Sequence, residues 1–99
     1  MDKYIVSELL HFCNVSPKIC TRINRAAIDY FDLTFVLKGQ LEYTVNGRDV
    51  TICENDAILL PPGTERARRQ GMSEVHYVSF NFRAFDDSIL PRGLFTQAL

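Results

Sequence analysis

Apolar and polar positions alternate with a period of two through much of this chain, the spacing of strands that bury one face. The plainest case sets Leu41, Tyr43 and Val45 against Glu42 and Thr44, then, after Asn46-Gly47, sets Val50 and Ile52 against Asp49 and Thr51. Asn-Gly supplies the positive φ values of a two-residue type I′ turn, so the pattern predicts a β-hairpin. Before it, residues 30–37 are rich in aromatic and β-branched side chains and end on Lys38-Gly39, a second turn that folds this strand onto the hairpin. After it, Asn55-Asp56 predicts a turn before a strand over 57–60, and Gly71-Met72 another before a strand over 74–82. Between those strands stands Pro61-Pro62-Gly63-Thr64. Proline lacks the amide donor that a central ladder needs, so the pair ends one strand and Gly63 permits the bend into the next.

Turns recurring every 8 to 16 residues or so, about the spacing of compact all-β domains, predict an all-β sandwich or small barrel. The ends are less regular. Residues 7–15 suit either a strand or a short helix, whereas 19–28 read as a strand with Ile23 apolar between Arg22 and Arg25. From residue 86, with Pro91 and Gly93, the pattern leaves the sheet and predicts the start of a helix. The expected layout is one domain over 1–99, with a barrel over 19–82, an N-terminal arm over 1–16 and a helix beginning within 86–99.

Composition narrows the function classes. With 99 residues, 46% of them hydrophobic, the chain builds a single core without metal or disulfide staples. A net charge of −1 gives it no electrostatic case for binding nucleic acid. The basic run Glu65-Arg66-Ala67-Arg68-Arg69-Gln70 offers three arginines and no interleaved aromatic platform, which suits an effector or a neighbouring subunit better than phosphates. The cysteines, Cys13, Cys20 and Cys53, form no CxxC pair, and no histidine stands at zinc spacing; they read as reduced core thiols of a cytoplasmic protein. The start lacks the apolar core of a signal peptide and no stretch approaches a membrane span, so no membrane partner is expected.

Four elements taken together carry a resemblance: the run 35–43 (FVLKGQLEY), the Asn46-Gly47 turn, Asn55-Asp56 followed after four residues by Pro61-Pro62-Gly63-Thr64, and the run 77–82 (YVSFNF). Over about residues 20–85 the chain resembles the cupin-type sensor domain of AraC-family bacterial transcription regulators. The resemblance implies an all-β, cupin-like jelly-roll barrel, also called a double-stranded β-helix, that binds a small effector such as a sugar or another metabolite. It further implies a homodimer, an N-terminal arm closing over the effector, and DNA contact only through a C-terminal helix-turn-helix domain outside these 99 residues. Metal-dependent cupins place two His and a Glu on one strand and a further His after the Pro-x-Gly turn. Here Asp32 falls at the carboxylate position, Arg25, Ala26, Ala27 and Ile28 span the His pair, and Arg66 falls at the last His. A guanidinium repels a divalent cation, so neither metal nor any other cofactor is expected.

Strand parity taken from the same resemblance puts Asp32, Thr34 and Val36 on an inward face and Phe31, Leu33, Phe35 and Leu37 on the other. Arg66 and Arg68 share a parity. Asp32 and Arg66 facing one cavity would hydrogen-bond an effector's hydroxyls or carboxylate, unless they satisfy one another or the arginines lie on a solvated edge. Arg25, with Arg22, is a further candidate contact, set against the exposure usual beside a turn. Tyr30, Tyr43 and Tyr77 combine an apolar plane with a polar tip, which suits a sugar and equally suits core packing. His76 alternates with Val78, Phe80 and Phe82, so it is either a hydrogen-bonded core or rim residue or a ligand or base. No Ser-His-acid set, Gly-rich phosphate loop or paired-carboxylate site stands in the sequence. The expected function is effector sensing by binding, not catalysis. The alternatives are a stand-alone, metal-free small cupin enzyme, such as a sugar isomerase or epimerase using His76 or Tyr77, and a plain β-barrel interaction module.

Overall fold

The computed structural model describes residues 6–84 and 93–96. The described residues form nine strands: β1 (Val6–Ile19), β2 (Ile23–Ala27), β3 (Phe31–Lys38), β4 (Leu41–Val45), β5 (Arg48–Ile52), β6 (Asp56–Leu60), β7 (Glu65–Arg68), β8 (Glu74–Ala84) and β9 (Gly93–Thr96). They make two antiparallel sheets, one in the order β1-β8-β3-β6-β9 and the other β2-β7-β4-β5.

The hairpin β4–β5 closes at Asn46 and Gly47, whose φ values of 49° and 83° are those the type I′ turn requires. Strand β6 stops at Leu60 ahead of the proline pair. There the Gly63 amide donates to the Ile28 carbonyl at 2.8 Å, and the Thr64 hydroxyl donates to the Pro61 carbonyl at 2.7 Å, which holds the corner leading into β7. Gly39, at φ 84°, turns β3 into β4 where a Cβ would lie 2.8 Å from the Glu74 carbonyl oxygen.

The alternation on β3 sorts two apolar clusters. Val36 joins Ile28, Leu41, Ile52, Ile58, Leu60 and Val75 in the principal core, together with Cys20, Tyr43 and Tyr77. On the opposite parity Phe31, Leu59 and Phe82 form a second cluster flanked by Leu33 and Phe80, with the Phe31 and Phe82 rings stacked at 5.3 Å. Asp32 and Thr34 are buried on the Val36 face.

Several expectations are corrected. Residues 6–16 of the expected arm belong to β1, which pairs with β8 along its length; register shifts after Val6, Leu9 and Val15 break the alternation that would have marked the strand. The strand expected over 19–28 begins only at Ile23. Where a helix was expected, Gly93–Thr96 is a strand laid on the open edge of β6, from Leu59↔Gly93 to Asp56↔Thr96, satisfying backbone groups that the edge would expose. The rest of 86–99, residues 1–5 and the Cys13 side chain lie outside the described residues. Cys20 is a core thiol, whereas Cys53 is exposed, because it follows β5 in the turn where its amide donates to Asp56 Oδ2 at 3.0 Å.

The close approach at Gly39 has a measurable cost. Gly39→Ala should lower unfolding stability by about 1–3 kcal/mol, through positive φ plus displacement of the β8 backbone. Gly47→Ala, which meets open space, should cost less. Equal urea midpoints for the two variants would contradict the assignment.

Candidate ligand-binding site

Strand β7 is only four residues long, yet it carries Arg66 and Arg68 two positions apart and therefore on one face. Its neighbours set what surrounds them: Arg68 stands opposite Tyr43 on β4 and Ile23 on β2, while Arg66 stands opposite Val45 and Ala26. The other sheet presents three paired rows, Asp32 with Asn81, Thr34 with Ser79 and Val36 with Tyr77. Two cationic side chains from one sheet thus meet a row of polar side chains from the other.

Asp32 is 1% exposed, so its charge needs compensation. Arg66 provides it, with Nη1 in an ion pair with Asp32 Oδ2 and Nη2 donating to the Tyr30 hydroxyl at 3.2 Å. Asp32 Oδ1 accepts hydrogen bonds from Thr34 at 3.0 Å and Ser79 at 3.1 Å. Arg68 is buried and, among the described residues, has no carboxylate partner. Its Nε and Nη2 donate to the Thr21 carbonyl at 3.0 and 2.7 Å, its Nη1 donates to the Tyr77 hydroxyl at 2.9 Å, and its guanidinium carbon lies 5.4 Å from the Tyr77 ring centre.

These groups border a partly open cavity of about 160 Å³. Arg66, Arg68, Tyr43 and Tyr77 line it together with Ser79, Asn81 and Ile23. Asn81 Oδ1 is buried and has no hydrogen-bond partner among the described residues. Burial pushes the Tyr43 phenol above its ordinary pKa against the opposing pull of Arg68. The Arg66 guanidinium is lowered by burial, with Arg68 adding to the effect and Tyr30 opposing it. Burial lowers Arg68 as well, but the phenols of Tyr43 and Tyr77 outweigh it and leave this group above its ordinary value.

The structure thus brings Tyr43, Arg66, Arg68 and Tyr77 to the cavity and seats Asp32 and Thr34 in the polar network behind it. Two sequence candidates lie elsewhere. His76 has the opposite parity to Tyr77 on β8 and pairs with Lys38, bordering an outer cleft with Glu74. Arg25 has a side chain 68% exposed, 3.6 Å from Glu65, because the register shift between Ile23 and Ala26 turns it away from β7's inner face. Ser79, Asn81 and Ile23 were not anticipated. The signal was Tyr77-x-Ser79-x-Asn81, a polar alternation that reads as a solvated face unless buried partners are known to meet it. A larger surface cleft of about 280 Å³ borders Cys20, Glu54 and Met72, but its Glu42 and Arg69 pair with each other at 3.8 Å.

Among the described residues no three His, Cys, Asp or Glu side chains converge. With Asp32 engaged and two guanidiniums in the cavity, the donor set does not fit a divalent metal.

No protein-family model and no curated protein matches the chain. Solved structures do. A conserved Streptococcus pyogenes protein of unknown function matches at a TM-score of 0.58 and 17% identity, over 67% of this chain and 57% of that one. The Clostridium difficile EutQ protein matches at 0.53 and 17%, over 64% and 48%, and a Bacillus subtilis oxalate decarboxylase at 0.57 and 14%, over 94% and 35%. The fold is that of the cupins. This chain spans about half the length of the first two neighbours and about a third of the decarboxylase. As expected from the turn and strand pattern, the cupin barrel here is all-β with two facing sheets.

The raised Tyr43 pKa sets a pH dependence. In the unfolded chain the phenol ionises near its ordinary value of 10.0, whereas in the barrel it holds its proton to higher pH. Its contribution to stability is therefore complete below pH 10 and disappears as pH rises through the folded-state value. Denaturant melts of wild type should lose stability above that pH, and Tyr43→Phe should flatten the loss. An identical alkaline slope in both proteins would contradict the burial of this phenol.

Proposed function

We propose that this cupin barrel is the effector-binding domain of an AraC-type bacterial transcription regulator, taking a small sugar-like or carboxylate metabolite into the cavity between the sheets. The observation that carries this reading is a partly open cavity lined by two guanidiniums, two phenols and amide and hydroxyl groups, with a donor set unsuited to metal. Such a lining recognises oxygen-rich ligands through directed hydrogen bonds. The sequence elements that resemble AraC-type sensors support the choice of family. Occupancy would shift the equilibrium between arrangements of the barrel, and an attached C-terminal helix-turn-helix domain would read that shift on DNA.

The same proposal includes a homodimer in the cytoplasm. Its support is the edge strand β1, which leaves Leu9 57%, Phe12 50% and Ile19 50% exposed. Among the described residues no helix is long and apolar enough to cross a membrane.

Two measurements test the reading. The coding frame past Leu99 should continue into a basic, helical region with two helix-turn-helix patterns; a stop codon there would remove the output domain. In thermal melts against sugars, sugar acids and aromatic acids, an effector held at about 100 times its dissociation constant should add about 2.7 kcal/mol of stability. The bound compound should be recovered unchanged. Conversion to product would replace sensing with the cupin enzyme reading.

A further inference from the structure

The charges inside the barrel do not cancel. Asp32 and Arg66 neutralise one another across the sheets. Among the described residues the partners of Arg68, 6% exposed, are neutral: the Thr21 carbonyl and the phenols of Tyr77 and Tyr43. The cavity therefore holds, among the described residues, one positive charge in excess, and its two arginines lie on one face of a single strand, their Cα atoms about 6.6 Å apart at the usual rise per residue. Each repels the other in a low-dielectric setting, and an anion between them would relieve that repulsion.

Donors for such an anion are in place. A guanidinium carries five N–H groups, and those of Arg68 make three hydrogen bonds, leaving donors beside the cavity. A second requirement comes from Asn81, whose Oδ1 is buried at the cavity wall with no donor among the described residues. A buried carbonyl oxygen calls for an N–H or O–H, and a carboxylate supplies neither. A third limit is size, since about 160 Å³ is smaller than the roughly 300 Å³ at which pockets for drug-sized ligands begin.

We infer that the ligand of this cavity is a small hydroxy acid, its carboxylate held at Arg68 and Arg66 and a hydroxyl donating to Asn81 Oδ1. This rests on reading the barrel as a ligand-binding site and names the class of compound that reading left open. A neutral sugar would leave the excess charge unanswered. A simple fatty acid would leave Asn81 unanswered.

The test is calorimetric titration at pH 7 and low salt, with D-glycerate and L-lactate compared with propionate, which lacks the hydroxyl, lactamide, which lacks the charge, and neutral L-arabinose. Glycerate and lactate should bind, with propionate and lactamide each at least about tenfold weaker than lactate. Asn81→Leu should erase the preference for lactate over propionate while retaining that for lactate over lactamide. The wild-type comparison stands by itself if the variant does not fold. Lactamide or arabinose binding as well as lactate would overturn this inference and leave the sensing proposal intact. Conversion of bound lactate or glycerate to product would keep the anion site and overturn sensing. Binding by none of the five compounds would overturn the hydroxy-acid assignment, and the wider effector screen would then decide the sensing proposal separately.

Discussion

The arrangement of this barrel turns on one buried ion pair, Asp32 with Arg66. Both are charged, one is almost wholly enclosed, and they come from opposite sheets. A core of this size has ample apolar side chains to close the same gap, and hydrophobic replacements of buried ion pairs are commonly neutral or stabilising. The pair is therefore poorly explained as a device for stability. It makes better sense as the means of keeping a polar surface inside the barrel, with Thr34 and Ser79 fixing one carboxylate oxygen and Tyr30 fixing the guanidinium.

The second arginine differs. Arg68 is anchored to the Thr21 carbonyl and the Tyr77 phenol, which hold its plane without neutralising it. A fixed cation costs little reorganisation when an anion arrives, which is how preorganised sites gain affinity. Both arginines occupy a four-residue strand entered from a proline-glycine corner. The corner sets the parity, the parity turns both guanidiniums inward, and the rows Asp32–Asn81 and Thr34–Ser79 supply what they meet.

Much of this was legible in the sequence, and the failures have physical causes. The hairpin at Asn46-Gly47 and the proline corner were readable because local geometry alone specifies them, whereas the inward face of Asp32, Thr34 and Val36 came from the resemblance to AraC-type sensor domains. Strand β1 was ambiguous because three register shifts interrupt its period, and β9 because its strand state comes from the open edge of β6 rather than from its own four residues. His76 drew attention through its apolar companions, yet two of them, Phe80 and Phe82, belong to the other cluster, on the face away from the cavity. Ser79 and Asn81 escaped notice because a polar alternation looks the same whether its partner is water or a buried arginine.

The most direct test of this account is to replace the ion pair with apolar residues of similar size, Asp32→Leu with Arg66→Met, and to measure unfolding stability and ligand-dependent stabilisation together. The account predicts that the double variant is as stable as wild type or more so, that Arg66→Met alone loses about 3–5 kcal/mol by stranding the carboxylate, and that the double variant no longer responds to the effector. A double variant that unfolds as readily as the single one, yet still responds to the effector, would show that the pair holds the barrel together and has no part in binding.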